Sequence, residues 1–397
     1  MDCQVTPRLA RSMYRDYRLD AIFCGKKWDP QLYDRSTIAD RALLIGRAEW
    51  IELSNAAERL FAETLRIEAE LQRYANSQGA GRFLPARAWR RLRRLPEPQS
   101  AGGARLMRFD FHPTADGWRL TEVNSDVPGG LNESSLFPRL WPAREISWGL
   151  PGNPGESYVR RVVEHFGLGA GARVGLIHAT AYADDWQHMA YLQGLLADLG
   201  LEAVGVAPTN VELHDGQMSL AGARLDAALR FFPGDWLLFS RWGEPWFSRH
   251  PDTMSNPLHA LFSQNKFFPV VCAELGIDLP AWQQYLPSTS RLALRDLLGT
   301  TDLLKPSFGR VGEDIARIAD LKSARRLGLA LSLLLGSGLW IKQRQFTPTN
   351  LGSATEPITA CVGVYCVDGR VVGAYGRLTG ERFIDMAAAD SPLFIVH

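Results

Sequence analysis

Residues 106–126 read LMRFDFHPTADGWRLTEVNSD. Apolar and polar side chains alternate on both sides of Ala115-Asp116-Gly117, which predicts a β-hairpin whose glycine accepts the positive φ at the end of a three-residue loop. Taking 115–117 as that loop pairs Thr114 with Trp118, sets Asp110 opposite Glu122 and sets Arg108 opposite Asn124. All four polar side chains then share one face, because the side-chain period of a strand is two. The two carboxylates stand about 5 Å apart at their Cβ atoms. At an effective dielectric of about 20 they repel by about 3 kcal/mol. Two carboxylates and an amide oxygen suit Mg²⁺, which prefers a few such ligands with phosphate oxygens completing its octahedron. The alternative is a solvent-facing hairpin in which Arg108 neutralises Asp110, and the hairpin by itself leaves both open.

Downstream, Arg173–His178 reads as an apolar strand, His188–Leu199 as a helix closed by Gly200, and Leu201–Val206 as a second strand. That β-α-β order predicts a small parallel α/β layer, so the chain is of mixed α/β (α+β) class. Asp184 and Asp185 lie in the loop before the helix. They are either contacts for a cationic amine or an acidic helix cap. Further on, Lys305-Pro-Ser307-Phe-Gly309-Arg310-Val-Gly312 follows a short apolar strand and is expected to open a helix. Its glycines would free N–H groups for phosphate oxygens, with Lys305 and Arg310 adding positive charge. It is neither a P-loop nor a dinucleotide GxGxxG motif, and a glycine-punctuated surface loop is the alternative. Ser263-Gln-Asn265-Lys266 carries a second lysine. Trp340–Phe346, with Gln343 and Gln345, reads as a strand running into a Pro/Thr turn, of the kind that borders an adenine ring. A hairpin spans Cys361 to Arg377.

Upstream, Trp50 to Ile67 repeats apolar residues every three or four positions, giving one long amphipathic helix that ends near Tyr74. The first ninety residues read mostly as helix. The basic run Arg87, Arg90, Arg91, Arg93 and Arg94 reads as a solvated helix face. The 397 residues hold 44 basic and 43 acidic side chains, a formal charge of +1. No global field recruits nucleic acid or an anionic membrane, so a charged ligand needs a local constellation. The longest apolar stretch of the C-terminal third, Leu327 to Leu335, is short of a membrane span. Five cysteines without a CxxC pair, and no signal-peptide pattern, predict reduced thiols in a cytoplasmic protein.

Two lysines, a glycine-rich loop, a strand followed by a hinge, and an RxD…ExN hairpin are the components of an ATP-grasp site. The hairpin precedes the lysines, an order that resembles the circularly permuted ATP-grasp arrangement of the glutathionylspermidine synthase family. RFFPGDWL at 230–237, Asn256-Pro, Ser263–Lys266, Leu286-Pro-Ser, KPSFGRVG and the ending YGRLTGERFIDMAAADSPLFIVH are similar to that family's segments. The resemblance implies a helical region at 1–100 and a Mg-binding hairpin part at 101–150. It also implies a pre-ATP-grasp-like α/β subdomain at 151–260 and the lysines, loop and closing hairpin at 261–397. It implies ATP with Mg²⁺, two ions being expected, on Asp110, Glu122 and Asn124. Lys266 and Lys305 would contact phosphates and Ser307, Gly309, Gly312, Gln343 and Gln345 would line the nucleotide. Arg108, Arg310 and Arg377 would stabilise an acyl phosphate and a tetrahedral adduct, and Asp184 and Asp185 would meet an amine.

The implied activity is amide-bond formation between a small-molecule or peptide carboxylate and an amine. A catalytically inactive nucleotide-binding partner and a divalent-metal hydrolase are the alternatives. A homodimer is left open. After ExNxD the stretch Asp126-Val-Pro-Gly-Gly130 has no hydroxyl until Ser134, which speaks against glutathione as the acid. His112, His178 and His188 are candidate proton acceptors, each with an ordinary structural role as the alternative.

Overall fold

The computed structural model describes residues 2–78, 84–96, 103–299, 301–309, 315–334 and 339–397. Strand β1 (Cys3–Val5) and helix α1 (Arg11–Phe23) precede strand β2 (Leu43–Gly46), helix α2 (Arg47–Gln78) and helix α3 (Ala86–Leu92). The hairpin follows as β3 (Leu106–Thr114) and β4 (Gly117–Asn124), then helices α4 (Leu131–Leu140) and α5 (Pro154–His165). The predicted β-α-β unit is β5 (Arg173–Ile177), α6 (Ala183–Asp198) and β6 (Glu202–Val206), and β7 (Ala227–Arg230), α7 (Gly234–Phe239) and β8 (Met254–Ser255) extend it. Then come β9 (Thr289–Arg291), β10 (Leu303–Pro306), β11 (Ala316–Arg317), helix α8 (Ser323–Leu334) and β12 (Trp340–Gln343). The chain closes with β13 (Thr359–Val367), β14 (Arg370–Thr379), β15 (Ala389–Ser391) and β16 (Leu393–Val396).

Five antiparallel strands form the central sheet in the order β15-β14-β13-β3-β4. Its two faces differ because the strands alternate. Phe109, Phe111, Val123, Val362, Val364 and Ala374 join Leu53, Ala57, Leu60 and Phe61 of α2 in the main core. Arg108, Asp110, Glu122 and Asn124 occupy the other face, in the register expected from the sequence. The route to that register differs. Gly117 has the expected φ of +96°, but the strands close one residue sooner, pairing Thr114 with Gly117. An irregularity beside Asp110 then leaves Thr121 without a partner and returns Asp110 to Glu122.

The second sheet is parallel, in the order β8-β7-β5-β6. Connections leave β5 and β7 toward opposite sides, which puts the topological switch point of this sheet at their carboxyl ends. The third sheet, β9-β12-β10-β11, is antiparallel. It corrects the expectation for the KPSFGRVG loop. Among the described residues that follow it no helix opens at once: Ala316 pairs with Leu304 in strand β11, and the α-helix starts at Ser323. The expected N-terminal region also differs, since β1 and β2 are strands and β2 pairs with β16. Of the basic run, Arg91 is buried and donates to the carbonyls of Leu237, Leu238 and Ser240 at the end of α7. Arg87, Arg90, Arg93 and Arg94 are exposed, as expected. Among the described residues no helix is long and apolar enough to cross a membrane. The five cysteines are unpaired.

A buried knot joins the hairpin to the parallel sheet. Arg230 donates to Asp126 at 2.5 Å and to the Phe232 and Asn256 carbonyls, and Asp126 also accepts the Gly234 N–H. Asn256 bonds both the N–H and the carbonyl of Leu106 and the carbonyl of Asp126. Neither side chain of the ion pair is exposed, so deleting one partner strands the other charge. Asp126→Ala is expected to cost about 3–5 kcal/mol in chemical denaturation. A loss below about 1 kcal/mol would show that the knot does not hold the two sheets together.

Candidate active site

The hairpin, strand β10 of the third sheet and a segment between two short helices deliver charge to one cleft. The cleft encloses about 320 Å³, measured to its open mouth, and Glu122, Lys266, Lys305 and Gln343 line it together with Ser263, Trp282 and Ile341. Lys266 comes from the segment between two short helices, Ala260–Gln264 and Phe268–Glu274. Its backbone N–H donates to the Ser307 carbonyl, which fixes the segment against the glycine-containing loop. Its ammonium lies 2.9 Å from Glu122 and donates to the Gly309 carbonyl at 2.6 Å. Burial pushes the Glu122 carboxyl up, but Lys266 and Lys305 outweigh it and the net shift is downward. Glu122 therefore stays ionised near neutrality. Lys305, on β10, has a weaker contact to the Thr121 carbonyl at 3.4 Å. Burial is the main cause that brings its ammonium down to about 8, with Lys266 adding to the effect and Glu122 opposing it.

Asp110 stands beside Glu122 but has its own cation. Arg108 grips it with two donors at 2.7 and 2.9 Å, and the Asn124 amide donates to it at 2.9 Å. Neutralisation of Asp110 by Arg108 is therefore realised. Arg108 also donates to the Gly129 carbonyl and the Tyr375 hydroxyl and lies over the Tyr365 and Tyr375 rings. It can lie flat across the sheet because Gly363 stands opposite Asp110. A Cβ there would come within 2.8 Å of both Arg108 and the Tyr375 ring. Arg377 is on the same face, opposite Cys361, and donates to the Asp385 carbonyl with Asp390 at 3.7 Å.

The donor chemistry suits Mg²⁺ in part. Glu122 and the Asn124 amide oxygen are hard ligands, while both Asp110 oxygens already accept from Arg108 and Asn124. Among the described residues no group of three or more His, Cys, Asp or Glu side chains could hold a metal. A Mg²⁺ here would need ligand oxygens to complete its shell.

The other expected residues are dispersed. Gln343 is buried and donates to Thr289. Gln345 faces the Arg382 guanidinium and does not line the cleft. Arg310 and Gly312 lie outside the described residues. Asp185 accepts the Ala179 N–H and closes the loop after β5 from the first turn of α6, and since no side chain caps that helix, neither aspartate is the helix cap expected as the alternative. The Asp184 side chain is largely exposed and accepts from Gln187. Neither aspartate lines the cleft. His188 accepts the Gly130 N–H through Nε2 and donates from Nδ1 to the Asp184 carbonyl, so both nitrogens are structural. His112 is buried, and burial drives it down to about 4, so its ring is neutral.

Sequence reasoning missed a second polar centre. Lys27, buried between α1 and β2, has its ammonium 2.9 Å from each of Asp29, Glu133 and Asp390. Burial alone would lower its pKa, yet the three carboxylates raise it. Lys27 stands in no motif and its partners lie far away in sequence, so no local pattern marked it. Gly363 and Gly373, each aligned with a tyrosine across β13 and β14, were the one readable sign of the Arg108 cradle.

An antiparallel sheet that meets a smaller sheet over a lysine- and carboxylate-lined cleft, beside a small parallel layer, defines an ATP-grasp-like α/β protein. The chain belongs to the glutathionylspermidine synthase preATP-grasp family, whose model matches residues 16–395, and so to a ligase-type class. A glutathione synthetase-like effector from Globodera pallida has the same fold, with TM-score 0.62, 10% identity and 98% of each chain covered. A protein from Methylobacillus flagellatus KT described as a gamma-glutamylcysteine synthetase gives TM-score 0.48 at 16% identity over 85% of this chain and 84% of its own. No curated protein sequence matches the chain.

Lys305 gives the cleft a pH signature. Its depressed pKa means that the unfolded chain holds one more proton than the folded chain between about 8 and 10.5. Stability contributed by this group therefore rises with pH through that window, and the cost of keeping it charged is fully present below about 8. Urea unfolding at several pH values is expected to show a steeper rise for wild type than for Lys305→Met. Parallel profiles would refute the shift.

Proposed function

We propose that this chain is an ATP- and Mg²⁺-dependent ligase that activates a carboxylate as an acyl phosphate and joins it to an amine. One observation carries the reading: Glu122, Lys266, Lys305 and Gln343 converge on one cleft from separate segments of the chain. Two ammonium groups beside a carboxylate suit a polyphosphate that brings a cation with it. Lys266 and Lys305 would hold phosphate oxygens, with Ser307, Gly309 and, beyond the described residues, Gly312 in the covering loop. Gln343, with Gln345 further along, would border the base. Glu122 and Asn124 would hold Mg²⁺, with Asp110 available once Arg108 releases it. Bound Mg²⁺ would neutralise the phosphate charge and align the terminal group.

The chemistry then needs little covalent help. A carboxylate oxygen attacks the γ-phosphorus and ADP leaves. The amine nitrogen attacks the acyl carbon, phosphate leaves and the amine loses a proton. Arg108, Arg310 and Arg377 would stabilise the negative charge that builds on the acyl phosphate and the tetrahedral adduct. The exposed Asp184 suits a cationic acceptor, whereas Asp185 is committed to its loop. Ser134 and Ser135 are buried and bonded to the Leu131 carbonyl and the Gly155 N–H, so neither offers a free hydroxyl to an acid such as glutathione.

The test is ADP release across a matrix of acids and amines, followed by mass measurement of the product. ADP is expected only when both partners are present. Glu122→Gln is expected to lower turnover by about 100-fold or more, the scale of losing one electrostatic stabiliser. Turnover within threefold of wild type would exclude the assignment (a factor of about 3 being some 0.7 kcal/mol). Tight ATP binding with no product from any pair would support a nucleotide-binding partner instead.

A further inference from the structure

The carboxylates that suit a divalent metal already hold their full countercharge from the chain itself. Asp110 and Glu122 bring two negative charges, and Arg108 and Lys266 meet them with two positive ones. Asp110 Oδ1 accepts from Arg108 Nε at 2.7 Å, and its Oδ2 accepts from Arg108 Nη2 and from the Asn124 amide, each at 2.9 Å. Glu122 Oε2 lies 2.9 Å from the Lys266 ammonium. The carboxylate side chains are 11% and 23% exposed and both cations 10%, so water and salt screen these pairs poorly.

Both cations have a second anchor that involves no carboxylate. Arg108 Nη1, on the far edge of the guanidinium, donates to the Gly129 carbonyl at 2.8 Å and to the Tyr375 hydroxyl at 3.2 Å. Tyr365 donates to the same carbonyl at 2.6 Å and fixes it in place. The guanidinium also lies 5.4 Å from the Tyr375 ring centre and 6.0 Å from that of Tyr365. Lys266 keeps the Gly309 carbonyl at 2.6 Å. Letting go of a carboxylate therefore leaves neither cation without a partner. Only the carboxylates would be stranded, and a divalent cation carries the two positive charges that they would lose.

Metal and resident cations exclude each other. Mg²⁺ bonds directly to carboxylate oxygens, and those oxygens are the ones that the guanidinium and the ammonium hold. Lys305 lines the same cleft beside Lys266, so a metal added to the closed arrangement would meet three positive side chains against two negative ones.

We propose that Arg108 and Lys266 are resident counter-cations that keep Asp110 and Glu122 closed to divalent metal, and that the pair opens when a phosphate oxygen takes the Lys266 ammonium. The phosphate part rests on the ligase reading, and the competition between metal and the two cations stands without it. Opening has a second effect. The Nε and Nη2 edge that now grips Asp110 becomes a free two-pronged donor for an anion such as a carboxylate, while Nη1 stays on Gly129. Metal on Asp110 and an anion on Arg108 thus favour each other reciprocally.

The competition is read without nucleotide or turnover, by electron paramagnetic resonance of free Mn²⁺ titrated with the full chain near neutral pH. Wild type is expected to bind Mn²⁺ most weakly. Arg108→Met and Lys266→Met are each expected to bind it about tenfold more tightly, because each frees a carboxylate. Arg108→Lys keeps the charge without the two-pronged grip and is expected to give a smaller gain in the same direction. Should Arg108→Met fail to fold, Arg108→Lys and the more open Lys266→Met decide. Adding Glu122→Gln to Lys266→Met is expected to abolish the gain, which ties it to this pair. Unchanged or weaker Mn²⁺ binding in the folded variants overturns the proposal, and so does a gain that survives Glu122→Gln. The two readings fail separately. Tighter Mn²⁺ binding in the variants, with no ADP release from any acid and amine, leaves the closed pair standing and removes the ligase. Acid- and amine-dependent ADP release by wild type, with Mn²⁺ affinity equal in wild type and variants, leaves the ligase and removes the closed pair.

Discussion

Asp110 and Glu122 face each other across one strand pair, and the surrounding site is built to keep both charges there. Each has a separate cation. Arg108 comes from the same strand as Asp110 and closes a two-pronged pair. Lys266 reaches Glu122 from a segment that packs on the opposing sheet. The repulsion expected for an isolated hairpin is thus divided between a local partner and a distant one. The distant one joins two sheets through electrostatics as well as packing. A ligand that takes Lys266 away from Glu122 must supply positive charge in its place, and a metal-bound polyphosphate does both.

The buried polar pairs form a graded series from scaffold to site. Asp126–Arg230 is wholly buried and has its remaining hydrogen bonds satisfied by backbone. Arg108–Asp110 is nearly as buried but lies at the edge of the polar face. Lys266–Glu122 is the most open of the three. Separating buried charges is costly, so the first pair is structural and the last is the one that a ligand can rearrange. The Lys27 cluster belongs with the first, since three carboxylates hold its charge in place against the cost of burial.

Much of this was legible in the sequence because the decisive contacts are local. The pairing of Asp110 with Glu122 came from alternation and one glycine. It came out right although the details did not, because the shorter loop and the extra Thr121 offset each other by one residue. The parallel layer was readable from a strand, a helix and a closing Gly200 with φ of +77°. The end of the KPSFGRVG loop was not. Strand β11 has only two residues, too few to show a period, so the leucine-rich helix after it dominated the reading. Arg91 was misplaced because a basic run gives no sign of which side chain meets the carbonyls at another helix end. Lys27 and Lys266 were illegible as partners, since their carboxylates come from distant segments.

The three-stranded sheet has a further consequence. Ile45 is flanked by Cys3 on one side and Ile395 on the other, so those two residues lie about 10 Å apart, two strand spacings. Strand β2 therefore holds β1 along one edge and β16 along the other, so an opening that frees either neighbour leaves one edge of a buried strand without its backbone partners.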